Sequence, residues 1–207
     1  MKRKILCSIL VFVLGSLPCL AFAADSSKVA NNAIYQGMVI KLDIGTPAVT
    51  AGVSKGMLQQ YELAMNWRLI NRLYPTLELG YAGGKTQKGD SIFYNAHGGY
   101  FRVGLDINPL KKHPDSPHAL LVGIRIGTGF QPKMTDCWGE VVAGCQVEVA
   151  KVKNTAFYMG WMGRLKILFT RQKDGVPIEE MYPIYIPGFG NRENVGWGVS
   201  YHLGWKF

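Results

Sequence analysis

The sequence predicts an all-β protein: an eight-stranded antiparallel up-and-down barrel that crosses a membrane with its strands. Three observations predict it. Almost every ordered segment alternates apolar and polar residues with period two, the spacing that puts successive side chains on opposite faces of a strand. Eight such segments of roughly 10 to 14 residues follow one another, against the ~9–11 residues a tilted strand needs to cross the hydrocarbon of a bilayer. The connections between them alternate in length, long after odd strands and mostly short after even ones, as in barrels with long loops on one rim and tight turns on the other.

The first strand runs from about Gln36 to Thr46, with Met38, Ile40, Leu42 and Ile44 on one face and Lys41 and Asp43 on the other. The second, from Leu58 to Ile70, sets Tyr61, Leu63, Met65, Trp67 and Leu69 against Glu62, Asn66 and Arg68. The third opposes Leu77, Leu79 and Tyr81 to Glu78 and Gly80, and the fourth opposes Phe101, Val103, Leu105 and Ile107 to Tyr100, Arg102, Gly104 and Asp106. In the fifth, Leu120, Val122, Ile124 and Ile126 face away from Gly123, Arg125 and Gly127. The sixth carries Val141, Ala143, Cys145, Val147 and Val149 opposite Glu140, Gly144, Gln146 and Glu148. The seventh carries Phe157, Met159, Trp161, Leu165, Ile167 and Phe169 opposite Tyr158, Gly160, Arg164 and Lys166. The eighth ends the chain, with Trp197, Val199, Tyr201, Leu203, Trp205 and Phe207 opposite Gly198, Ser200, His202, Gly204 and Lys206. Long connections are expected at Pro47–Gly56, Gly83–Gly98, Gln131–Asp136 and Arg171–Val195. Short turns are expected at Asn71–Tyr74 and Lys153–Thr155, with Pro109–Pro117 a longer exception.

Residues 1–23 read as a secretory signal: Lys2-Arg3-Lys4, an apolar run from Ile5 to Leu20, and Ala21-Phe22-Ala23 before the cleavage point. Residues 24–34 are then a short periplasmic segment and 35–207 the barrel. The chain has 23 Lys+Arg against 14 Asp+Glu, an excess that falls by three once the signal is removed. Because these bases are dispersed and the chain is exported, anionic lipid headgroups are the expected counter-charge and nucleic acid is not.

Periodicity leaves two orientations open. An apolar interior would make a soluble periplasmic lipocalin-like barrel that binds a ligand. An eight-stranded interior is only wide enough to be filled by side chains or hold one small ligand, so Trp67, Trp161, Trp197, Trp205 and the Phe and Tyr residues of that face fit poorly inside. Inverted, the glycine-rich polar face lies inside. It carries six acids (Asp43, Glu62, Glu78, Asp106, Glu140, Glu148) and seven bases (Lys41, Arg68, Arg102, Arg125, Arg164, Lys166, Lys206), which can pair into a closed lumen network. Tyr61, Trp67, Tyr81, Phe101, Phe157, Trp161, Phe169, Trp197, Tyr201, Trp205 and Phe207 then face lipid or its interfacial girdles.

The last strand, with Val199, Tyr201, Leu203, Trp205 and a terminal Phe207, resembles that of small bacterial outer-membrane barrels of the OmpA/OmpX architecture. The resemblance implies export, insertion by the outer-membrane barrel-assembly machinery through that strand, and contact with outer-membrane lipid and lipopolysaccharide. Phe157-Tyr158-Met159-Gly160-Trp161 followed by Tyr185-Ile186-Pro187-Gly188-Phe189-Gly190 is similar to a family of such barrels known only as a domain of unknown function. That likeness spans residues 35–207 and implies fold and location but no activity.

Candidate sites are few. Ser200 and His202 share one face of the last strand and could belong to a lipid A-modifying acyl hydrolase or acyltransferase, but no spacing identifies the acid that a triad needs. His113, Asp115 and His118 fit no metal-site spacing, and no metal or cofactor is expected. Cys137 and Cys145 share strand parity eight residues apart, about 26 Å if extended at ~3.3 Å per residue, and cannot bridge unless that segment is a folded loop. Gly127-Thr128-Gly129 lacks the strand-turn-helix setting of a phosphate loop. The segment Arg171–Val195 combines aromatic residues with Pro and Gly. Its Tyr182, Tyr185, Phe189 and Arg192 are the candidates for binding an extracellular ligand. The expectation is a monomeric, surface-exposed structural or binding barrel rather than an enzyme.

Overall fold

The computed structural model describes residues 34–48, 58–69, 72–88, 91–110, 116–131, 134–153, 155–169 and 195–206. The signal-like segment, the segment from Arg171 to Asn194, Asp115 with His113, and Phe207 lie outside them. Eight antiparallel strands close into one barrel in chain order: β1 (Tyr35–Asp43), β2 (Leu58–Leu69), β3 (Leu73–Lys88), β4 (Ser91–Ile107), β5 (Ala119–Gln131), β6 (Met134–Val152), β7 (Thr155–Leu168) and β8 (Val195–Lys206), with β8 paired back onto β1.

Burial decides which way the barrel faces. On the exposed outer surface every strand contributes apolar residues: Leu42, Leu63, Leu79, Val103, Ile124, Val141, Leu165 and Trp197, one from each strand in order. The intervening residues point inward and are mostly charged or polar. An apolar, ligand-lined interior is therefore not what this barrel contains.

Two of the expected long connections are strand. Gly83 to Gly98 continues the β3–β4 ladder as far as Lys88 opposite Ser91, and β5 and β6 meet at Gln131 opposite Met134, leaving only residues 132–133 between them. The glycines that suggest a loop pair through their backbones like any other residue, Gly83 with His97 and Gly84 with Ala96. β1 is shorter than expected, ending at Asp43 instead of Thr46. Asp43 Oδ1 accepts hydrogen bonds from the Gly45 and Thr46 N–H groups at 3.0 and 3.2 Å, which turns the chain into a short helical turn over 45–48. Within β1 a register shift between Tyr35 and Met38 is absorbed by Gly37 at φ 116°, a bulge that only glycine adopts readily. The β6–β7 hairpin turns at Lys153, whose φ of 52° is the left-handed conformation such tight turns require.

Candidate functional site

The interior is built by cross-strand register. Inward residues of neighbouring strands stand opposite one another, so a bulky side chain needs a small partner. Gly80 stands opposite Tyr100, Gly104 opposite Arg125, Gly123 opposite Asp106, Gly127 opposite Trp138 and Gly160 opposite His202. In each pair the large side chain lies over the glycine, where a Cβ would collide with it. Five glycines thus make room for five of the groups that fill the lumen.

At the centre two guanidinium groups from opposite walls share three carboxylates. Arg102 on β4 pairs with Glu62, with Glu78 at 2.7 Å and with Glu140 at 3.1 Å. Arg164 on β7 pairs with the same three at 3.1, 2.9 and 3.2 Å. Arg125 on β5 holds Asp106 in a fork, Nη1 to Oδ1 at 2.6 Å and Nη2 to Oδ2 at 2.7 Å, and reaches Glu78 at 3.3 Å. These side chains are almost wholly enclosed, and Arg102 and Asp106 have no exposed surface. A buried charge is tolerated only when paired and hydrogen-bonded, and the planar fork of arginine meets carboxylates in two places at once. The network ties β2, β3, β4, β5, β6 and β7 together across the lumen.

Apolar and aromatic layers close the network on both sides. Towards the rim of the β3–β4 and β5–β6 hairpins, Tyr100 donates to Glu62 Oε2 at 2.6 Å and Trp138 Nε1 donates to Glu140 Oε1 at 2.7 Å, with Ala82 and Leu168 packed alongside. Towards the other rim lie Tyr74, Ala119, Leu121, Val142 and Met162, with Val39, Ala156 and Tyr158 in a second cluster. A small cavity of about 20 Å³ beside this network is lined by Lys41, Asp43, Asn66, Arg164, Ser200 and His202 among others.

Of the charges expected inside, Lys41, Asp43, Glu62, Arg68, Glu78, Arg102, Asp106, Arg125, Glu140, Arg164 and Lys166 are buried. Glu148 and Lys206 are only half-buried. Glu148 accepts from Tyr158 Oη at 3.0 Å, and its N–H donates to His118 Nδ1 at 3.1 Å. On the outer face Tyr61, Tyr81, Phe101, Phe157, Phe169 and Trp197 are exposed, while Trp67, Trp161, Tyr201 and Trp205 are half-buried. Phe157 and Trp205 meet edge to face with centroids 6.5 Å apart. Tyr182, Tyr185, Phe189 and Arg192 lie outside the described residues. Cys137 is a thiol and sits with Cys145 on one continuous strand. No group of three or more metal-ligating side chains occurs among the described residues.

Ser200 and His202 are both buried, and the structure supplies an acid that spacing could not find: Asp43 stands opposite His202 across the closing β1–β8 seam. The three do not form a relay. Asp43 Oδ1 is occupied by the turn at Gly45 and Thr46, and His202 Nε2 has no hydrogen-bond partner among the described residues. Sequence reasoning also missed Trp138, the largest fully buried side chain among the described residues. The signal was available, since Trp138 shares the parity of Glu140 and its register partner is a glycine.

A family model described as a domain of unknown function, DUF6048, matches residues 2–133 and 129–206. No curated protein and no solved structure matches the chain.

Proposed function

The chain belongs to the DUF6048 family, whose description assigns no activity, and we propose that it is a bacterial outer-membrane barrel with a closed, charge-paired lumen that anchors and presents its extracellular loops. One observation carries the reading: the apolar residues of all eight strands are exposed on the outer face while arginines and glutamates are buried inside. In water that belt would be a continuous apolar surface far beyond what a soluble monomer exposes, whereas in a bilayer it is the expected surface of a strand-built span. Strands of 9 to 19 residues are long enough to cross, and a closed barrel leaves no unpaired edge in the hydrocarbon. The alternating apolar residues of β8 are what the barrel-assembly machinery would engage. Membrane fractionation combined with heat-modifiable gel migration tests the reading. Recovery of the chain as a soluble periplasmic protein would overturn it.

The role we propose is structural or binding, through the loop Arg171–Val195 and its Tyr182, Tyr185, Phe189 and Arg192, with lipopolysaccharide as the surrounding lipid. The second reading, a lipid A-modifying enzyme, draws on Asp43, Ser200 and His202 meeting at one cavity. It is the weaker of the two, because that cavity holds little more than a water molecule and no hydrogen bond links the three groups. Lipid A from cells carrying Ser200→Ala or His202→Ala discriminates them: a changed acylation pattern favours the enzyme. Unchanged lipid A together with a phenotype from deleting Tyr182–Arg192 favours the structural role.

A further inference from the structure

The charge that the lumen does not balance lies at its short-turn mouth. Among the described residues six bases are buried in the barrel against five acids. Lys41, Arg102, Arg125, Arg164 and Lys166 match the acids in the body of the lumen, which leaves Arg68, near the end of β2. The electrostatic neighbours of Arg68 include Tyr74, Tyr158 and Lys206.

Register brings two lysines to the same mouth. Lys206 on β8 stands opposite Val39 on β1 and Ala156 on β7, and Lys151 on β6 stands opposite the same Ala156. Residues directly opposite in a ladder point to one face, so after the register shift between Glu148 and Ala150 the Lys151 side chain turns to the side of buried Ala156 and not to the outer belt. Arg68 lies on the other flank of β1, one residue beyond the Trp67–Met38 pair. Lys206, between the two, is in electrostatic contact with both Arg68 and Lys151. The residues between the cations are short or flat: Val39 and Ala156 pack with Tyr158 into an apolar floor. Lys151 is exposed and Lys206 half-buried, so this shallow cup opens to water.

Among the described residues one acid, Glu148, shares the cup, and its carboxylate accepts from Tyr158 Oη at 3.0 Å. Three cations against one carboxylate leave two positive charges, and Arg72 and Lys153, exposed on the β2–β3 and β6–β7 turns of the same rim, strengthen the field. A phosphate group matches that excess. It carries about −1.5 to −2 charge at neutral pH, its oxygens suit the fork of a guanidinium, and ammonium groups serve it as point charges. A carboxylate would leave one positive charge unbalanced.

We propose that Arg68, Lys151 and Lys206 form a phosphate-binding site at the short-turn mouth of the barrel, taking the phosphate of a soluble ester or of a lipid headgroup. Its placement on the periplasmic side rests on the membrane reading proposed above.

Titration of the full chain in non-ionic detergent, followed by calorimetry, tests the site with inorganic phosphate in one arm and phosphatidic acid in the other. Saturable one-to-one binding is expected in at least one arm: with inorganic phosphate for a soluble source, with phosphatidic acid alone for a headgroup. Lys151→Gln and Lys206→Gln should each weaken it by roughly tenfold, and Lys88→Gln, at the end of β3 on the opposite rim, should leave it unchanged. Heat-modifiable migration of each variant establishes that its barrel has formed. No saturable binding in either arm, or binding that neither lysine variant weakens, overturns the site. A membrane-inserted chain that binds no phosphate rejects the site alone, whereas a soluble chain that binds phosphate through these lysines keeps the site and rejects the membrane reading.

Discussion

Replacing Arg102 by methionine asks whether the lumen network holds the barrel together. Arg102 is fully enclosed and pairs with Glu62, Glu78 and Glu140 at once. Methionine keeps much of the length and apolar stem of the side chain, so the change removes charge more than packing. Without Arg102, Glu62 and Glu140 keep their pairs with Arg164, while Glu78 keeps those with Arg164 and Arg125. Breaking a buried ion pair by removing one partner costs ~3–5 kcal/mol because the other charge is left uncompensated. Against a total stability of ~5–15 kcal/mol for an ordinary domain, that is a large fraction. Lys206→Met at the half-buried rim should cost no more than ~1 kcal/mol. Equilibrium urea unfolding in lipid vesicles, followed by tryptophan fluorescence, reads both. Adding Glu62→Gln to Arg102→Met should recover part of the loss, since it removes a stranded carboxylate, and the coupling should exceed ~0.5 kcal/mol as for residues in one network. A loss below ~1 kcal/mol for Arg102→Met, or strict additivity with Glu62→Gln, would refute the idea that the pairs are mutually dependent.

Gly127→Leu should destabilise the barrel by ~1–3 kcal/mol or prevent its closure, because the new side chain enters the space of Trp138. Gly163→Ala, whose Cβ meets nothing closer than 3.5 Å, should leave the unfolding midpoint nearly unchanged. Ile124→Arg, on the outer face at 64 % exposure, should cost ~2–4 kcal/mol in a bilayer if it sits near the midplane, and equal stability to the parent chain would count against the membrane reading. Brominated lipids should quench Trp197, which is 66 % exposed, and spare Trp138, which is wholly enclosed. Single-tryptophan variants separate the two, and the reverse pattern would invert the assigned faces. Planar-bilayer recordings should show little or no stable conductance, since the charged centre and its apolar layers fill an eight-stranded interior.

The alternation of the strands was enough to read all eight elements and to sort their residues onto two faces, because the side-chain period of a strand is strictly two, while which face points inward rested on the bulk of the aromatic face against the width of an eight-stranded interior. Element ends were less legible. Gly83-Gly84 and Gly98-Gly99 look like loop residues, yet a hairpin ladder with partners on both strands absorbs them. Conversely, Ile44 and Thr46 continue the alternation of β1, but the Asp43 side chain competes for the backbone N–H groups that the next residues would offer to a ladder. The pairing inside the lumen was legible only where it follows register. Glu78 and Arg102 are direct cross-strand neighbours. Arg164 reaches Glu78 across 86 residues of sequence, from a wall that strand pairing alone does not place opposite.

The glycine pairs explain why a lumen so rich in charge settles on one arrangement. Hydrogen bonding alone does not fix register, since a strand shifted by two residues keeps its inward and outward faces and most of its backbone bonds. In this barrel the same shift between β5 and β6 would move Trp138 off Gly127 and set it against Arg125 or Gly129. A shift between β4 and β5 would move Arg125 off Gly104 and set it against Arg102 or Asp106, neither of which leaves the space that the glycine provides. Each inward glycine therefore does for steric fit what each carboxylate does for charge: it accepts one neighbour and penalises the displaced ones. Because the two conditions fall on the same residues, Arg125 having both its glycine and its aspartate, a slipped register loses packing and ion pairing together. On the proposed membrane reading the outer face supplies no such discrimination, since its apolar residues would be interchangeable in lipid, so the specificity of the fold resides in the interior.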